Sequence, residues 1–270
     1  RYEPDRPVPP DDTEGRVETI RRVMDHVSRE HGEPEKLVED ARATVAALKA
    51  FIADRGILTL PEPDRCEIIE MPEFQRGNSI AFLNAAPPLE RETISIYAIS
   101  PPPADWSPER VTSFLREYNR HMLQILTIHE AYPGHYVQLE YANAHPSLIR
   151  RILGSGVYNE GWAVYTEQMM LDQGYGRGAL ELRPHQLQLY LRAVGDAFQS
   201  EGEALLKIIR AKQSSVQLSS YFVGRTAFYR LRRDVQRRMG ERFDLGAYHE
   251  AVLRHGSVPV KYLPELLGSL

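Results

Sequence analysis

Apolar residues recur at helical spacing along most of this chain. Val17, Ile20, Met24 and Val27 predict a helix over roughly 12–31. After a Gly-Glu-Pro break, Leu37, Ala41, Val45, Leu48 and Ile52 predict a second, with Gly56 as its stop. The two read as an antiparallel pair preceded by an extended, proline-rich stretch over residues 1–11. The period then changes. Cys66-Glu-Ile-Ile-Glu-Met, Ser79-Ile-Ala-Phe-Leu and Thr93-Ile-Ser-Ile-Tyr-Ala-Ile carry β-branched and aromatic residues between proline and glycine breaks, which predicts three short strands. Pro101-Pro-Pro closes that region, and Ser107-Pro108 offers a cap and a first-turn proline for a helix. Helical spacing dominates from there to the end. The expected fold is mainly α with a small β-sheet (α+β). It comprises a helical pair over 1–56, a sheet over 57–99 and a helical body over 107–270, all in one structural unit.

Charge and composition narrow the function classes. The 270 residues carry a formal net charge of −4, enough chain for a proper core and no electrostatic reason to expect nucleic acid or an anionic membrane. Arg230, Arg232, Arg233, Arg237 and Arg238 surround the stripe Phe228, Leu231, Val235, which reads as the solvated face of a helix. Cys66 is the sole cysteine, so neither an intrachain disulfide nor a cysteine-rich metal site can form. No apolar run approaches the ~18 residues of a membrane span. The start, Arg1-Tyr-Glu-Pro-Asp-Arg-Pro, is neither a signal peptide nor an initiator methionine, and reads as a processed or shortened chain whose address is unknown.

The chemistry concentrates in His129-Glu-Ala-Tyr-Pro-Gly-His135. Met122, Ile125, Leu126 and His129 fall at i, i+3, i+4 and i+7, so His129 lies on the buried face of its helix. Zinc-binding histidines on one helix stand four apart, about 40° around the axis; here the six-residue spacing puts them about 240° apart. Both can reach one ion only if the helix breaks. Pro133 and Gly134 supply the break, one by removing a donor and clashing with the preceding turn, the other by permitting unusual geometry.

A second cluster supplies carboxylates. Glu160 and Glu167 are seven apart on one face of a helix near 156–173, with Ala163 and Val164 along the same stripe. Two buried glutamates need partners. The expected metal ligands are His129, His135 and Glu160, with Glu167 orienting a ligand or water from behind. Glu130, beside a ligand, is placed to act as general base toward a water that zinc activates near pH ~7. One Zn2+ per chain is expected.

These segments, with Gln138, Ser220-Tyr221-Phe-Val-Gly224, Phe243-Asp-Leu, Tyr248-His249 and Gly256-Ser-Val-Pro259, resemble the bacterial DUF885 family. The resemblance runs from about residue 57 to the C-terminus. It implies a zincin-like catalytic domain and a distant relationship to the gluzincin-type metallopeptidases and helical carboxypeptidases. Family members are typically about twice as long, so the resemblance implies a C-terminal, metal-bearing portion whose cleft is completed by an N-terminal half or another chain. It also favours an exported or cell-envelope setting. Against the family pattern, Leu191–Gln199 runs on as if a loop were shortened.

Gluzincin resemblance further calls for a tyrosine or histidine that donates to the oxyanion. Tyr221 is the first candidate, although a tyrosine packed in the core fits its position equally. His249 is the second, with a structural histidine bonding a backbone carbonyl as the alternative. Arg225 is a candidate for a substrate carboxylate, which would suit carboxypeptidase-like action. His255 and His185 have weaker claims, and His121, near the face of His129, reads as a packing residue. The expected function is a zinc metallopeptidase acting on a peptide or small amide substrate. The alternatives are a zinc hydrolase of esters or non-peptide amides, and a catalytically silent binding module that keeps the metal fold.

Overall fold

The computed structural model describes residues 7–76, 80–90, 92–176, 182–192, 208, 211–212, 214 and 216–268. In chain order the helices are α1 (Thr13–Val27), α2 (Leu37–Asp54), α3 (Pro108–Glu117), α4 (Arg120–Glu130), α5 (His135–Asn143), α6 (Leu148–Ile152), α7 (Gly156–Asp172), α8 (Leu182–Arg192), α9 (Gln217–Met239), α10 (Leu245–Leu253) and α11 (Leu263–Leu266). Strands β1 (Cys66–Glu70), β2 (Ala81–Asn84) and β3 (Ser95–Ile99) lie between α2 and α3. The molecule is mainly helical with one small sheet.

The α2 stripe is buried in full, at Leu37, Ala41, Val45, Leu48 and Ile52. Each such leucine or isoleucine contributes about 1.5–3 kcal/mol by leaving water. The helix packs on α4 and β1, so it belongs to the same core as the helical body. Gly56 ends this segment with φ +58, a conformation glycine adopts at no steric cost. The α1 stripe behaves differently: Val27 is buried, whereas Ile20 is 46% exposed. Sequence spacing located α1, but the fold buries only Gly15 and Val27 along it.

Strand order is β1-β3-β2, with β1 parallel and β2 antiparallel to the central β3. β2 is therefore an edge strand, and it lies against α4. Helix α7 also packs on α4, and it crosses α9 with the two backbones touching. A Cβ on Gly161 would stand 2.4 Å from the Cα of Gly224, so each glycine admits the other helix. Trp162, Tyr165 and Phe228 fill the space beneath this crossing with edge-on and tilted ring contacts.

Candidate metal centre

Helix α4 opens on Asn119, whose side chain accepts from the amides of His121 and Met122, and it delivers His129 and Glu130 at its far end. The helix stops there. Residues 131–134 form a turn, and α5 restarts at His135. At Gly134 a Cβ would lie 1.9 Å from the His129 carbonyl oxygen and 2.3 Å from that of Ile128, so the chain passes only without a side chain. The Trp162 indole N–H donates to the Pro133 carbonyl at 2.9 Å and ties the turn to α7. The expected break in the helix is present, and it returns His135 to the side of His129.

The two imidazoles meet edge to face, their centroids 4.7 Å apart at 90°. Glu160 Oε2 lies 3.7 Å from His129 Nε2 and 3.5 Å from His135 Nε2. Three candidate ligand atoms from three helices thus fall within 4.8 Å of one another. Glu167, with no exposed surface, lies 2.7 Å from His129 Nδ1. His129 therefore donates through Nδ1 and turns Nε2 toward Glu160.

The electrostatics favour positive charge at this point. Burial alone would lower the pKa of His129, but Glu160 and Glu167 outweigh it and hold the imidazole well above its usual 6.5. Burial would raise Glu160, yet the two histidines carry it well below the ordinary carboxylate range. Burial dominates at Glu167, which is raised despite His129 and the charge of Arg225. Two carboxylate oxygens, Glu160 Oε2 and Glu167 Oε2, are buried without a hydrogen-bond partner. Such an oxygen is costly unless a cation or donor meets it. Glu160 Oε2 is the oxygen that faces both imidazoles. Two nitrogens and one oxygen match the three-ligand set of an open zinc site.

Glu130 is held from the sheet, a contact the sequence did not suggest. The amide of Leu83 on the β2 edge donates to Glu130 Oε2 at 3.0 Å. Gln217, at the start of α9, approaches Glu160 Oε1 at 3.4 Å, and this residue too carried no sequence signal. Tyr221 stacks toward His129 with centroids 6.3 Å apart and planes at 27°, which brings it to the cluster. The Arg225 guanidinium bonds Gln168 and lies 5.0 Å from the Tyr229 ring centre, and its charge acts on Glu167.

The family described as "Bacterial protein of unknown function (DUF885)" matches residues 10–196 and 190–267. The chain belongs to the DUF885 family. A solved structure described as a putative lipoprotein of unknown function from Shewanella oneidensis is similar, with 34% identity and a TM-score of 0.84. The match covers 96% of this chain and 50% of that one. A second, described as the putative lipoprotein from Colwellia psychrerythraea, shares the fold at 21% identity and a TM-score of 0.77, over 94% of this chain and 50% of that one. The DUF885 chain thus spans about half the length of the structures it resembles. No curated protein matches it. Among the described residues, no helix is long and apolar enough to cross a membrane. The region beyond Arg192, where a loop shortened relative to the family was expected, lies outside the described residues.

His249 requires a correction. It was expected among the catalytic groups, but the structure buries it entirely beneath the crossing of α7 and α9. Its Nδ1 donates to the Ile57 carbonyl at 2.8 Å, and Nε2 accepts from the Tyr165 hydroxyl at 2.7 Å. Both nitrogens are satisfied by neutral imidazole, and burial pushes the group down to about 3. It is a core histidine. The unfolded chain protonates this residue below pH ~6.5, whereas the folded chain resists until about 3. Stability should therefore fall by about 1.4 kcal/mol per pH unit across that interval from this group alone. His249→Gln is expected to flatten the fall of Tm between about pH 6 and 4 relative to wild type. Equal slopes would remove His249 from the acid response. The His121 and His185 rings lie 5.5 Å apart, tilted by 30°, with His185 2.7 Å from Asn119 at the opposite end of α4. His255 lends its carbonyl to Arg150.

Proposed function

We propose that this chain carries the metal centre of a zinc-dependent hydrolase that cleaves peptide bonds. The observation that supports it best is the convergence of His129, His135 and Glu160 across a broken helix, with a carboxylate directly beside them. His129, His135 and Glu160 would hold the ion. When bound, zinc supplies the Lewis acidity that makes water a nucleophile near neutral pH and polarises an acyl carbonyl.

The chain's own groups do the rest. Glu130, fixed by the Leu83 amide, receives the proton from the attacking water and passes it to the leaving nitrogen. Glu167 keeps His129 in the Nδ1–H form, and the positive charge of Arg225 favours the ionised state of Glu167. Tyr221 flanks His129 on α9 and is the candidate donor to the oxygen that becomes charged. The donor set and the adjoining base support a gluzincin-like relationship and a zincin-like domain. The description of both structural relatives as lipoproteins favours an envelope-associated setting. Their doubled length supports a cleft completed by a further half or another chain.

The same chemistry serves an ester or a non-peptide amide, which is the second reading. A silent binding module would have no use for a half-buried base held beside the ligands. Digestion of a mixed peptide library by the zinc-loaded protein, with products identified by mass, separates these. Peptide cleavage that stops with a chelator is expected. Intact peptides alongside turnover of ester substrates would shift the reading to the alternative, and no turnover of either would favour the binding module.

A further inference from the structure

The turn between α4 and α5 must hold one shape for His135 to meet His129, and a proline and a glycine alone do not select it. Two buried tyrosines bracket the turn: Tyr132 lies within it and Tyr136 directly follows His135. Their rings meet edge to face, 5.2 Å apart at 62°. Both hydroxyls donate to a single oxygen, Asp64 Oδ1, at 2.6 Å from Tyr132 and 3.0 Å from Tyr136. The other oxygen, Oδ2, is 2.5 Å from Lys49 Nζ on α2, and that ammonium also lies 5.6 Å from the Tyr132 ring centre. Tyr136 completes the network by accepting the Arg65 amide at 2.7 Å.

Burial would raise the Asp64 carboxyl, but Lys49, Tyr132 and Tyr136 outweigh it and keep the group below its usual 3.8. A charged acceptor thus gathers α2, the approach to β1 and both flanks of the turn. We propose that Asp64 is a positioning residue for the metal centre, acting through Tyr132 and Tyr136 to set the path of residues 132–136 and so the approach of His135. The inference rests on the metal reading above and adds a remote determinant to it. Without Asp64, two buried phenols lose their acceptor, which each must replace. The short turn can shift to find one more readily than the packed sheet and α2 can. His129 stays in place, because Glu167 holds it from α7.

The test compares wild type, Asp64→Asn, Asp64→Ala and the double variant Tyr132→Phe/Tyr136→Phe. Zn2+ affinity and the visible absorption of Co2+-loaded protein are measured at a temperature where all are folded. Asp64→Ala and the double variant should bind Zn2+ about 10- to 100-fold more weakly, with an altered Co2+ spectrum. Asp64→Asn, which keeps an oxygen acceptor, should fall between them and wild type. If Asp64→Ala does not fold, the double variant decides, since it removes two hydroxyls and leaves both rings packed. Variants with lowered Tm but wild-type affinity and spectrum would overturn the proposal and leave the metal site standing. A wild type that binds neither ion would overturn both.

Discussion

A single methyl group at position 134 is expected to dismantle the proposed metal centre. The Cβ of Gly134→Ala would meet backbone oxygens of His129 and Ile128 at 1.9 and 2.3 Å. Backbone cannot rotate aside as a side chain can, so either the end of α4 or the start of α5 must move. The cost should be on the order of 3 kcal/mol or more, at the upper end for overpacking. Because both segments carry a proposed ligand, Zn2+ binding should be lost together with stability. Gly161→Ala should behave alike, since its Cβ would strike the Gly224 Cα at 2.4 Å and part α7, which bears Glu160, from α9. Gly156→Ala is the control: it lies in the same helix as Gly161, and its Cβ would meet nothing within 4 Å. Helix propensity predicts that this change leaves stability equal or raises it by up to about 1 kcal/mol, with Tm unchanged or higher. Thermal unfolding of the three variants checks the set. Equal stability for Gly134→Ala and Gly156→Ala would contradict the tight turn described here.

Glu130→Gln should separate binding from chemistry. The glutamine keeps an oxygen for the Leu83 amide and nearly the same volume, so fold and metal content should match wild type. It cannot accept the proton from water at neutral pH. General-base assistance is worth about 10²–10⁴ in rate, and kcat should fall by that factor. KM should change little, since the lost interaction belongs to the transition state. Steady-state kinetics on a peptide cleaved by wild type, alongside metal analysis, provide the check. Full activity in this variant would assign the base to another group.

Much of the site was legible because its residues are close in sequence and their spacing conflicts with a regular helix. The six-residue gap between His129 and His135 made sense only with a break at Pro133-Gly134, and the break is there. Glu160 and Glu167 were readable from one helical face. What escaped was tertiary. The Leu83 amide reaches Glu130 because β2 is an edge strand running beside α4, and no side-chain pattern encodes which amide faces outward. Asp64 is an ordinary loop aspartate until the fold brings two tyrosines to it. His249 misled because it sits in a recognisable motif with Tyr248, while its environment is set by Ile57 and Tyr165, both distant in the chain. The α1 stripe had the right period and little to pack on. Periodicity reports a helix's possible inner face, and the rest of the fold decides whether anything covers it.

Metal content is the most direct test of the central claim. Wild type and His135→Ala would be equilibrated with Zn2+, freed of unbound ion and analysed for metal per chain. The arrangement of His129, His135 and Glu160 predicts one zinc in the wild type and a large loss in His135→Ala. Wild-type protein without stoichiometric metal, or a variant that retains it unchanged, would contradict the account.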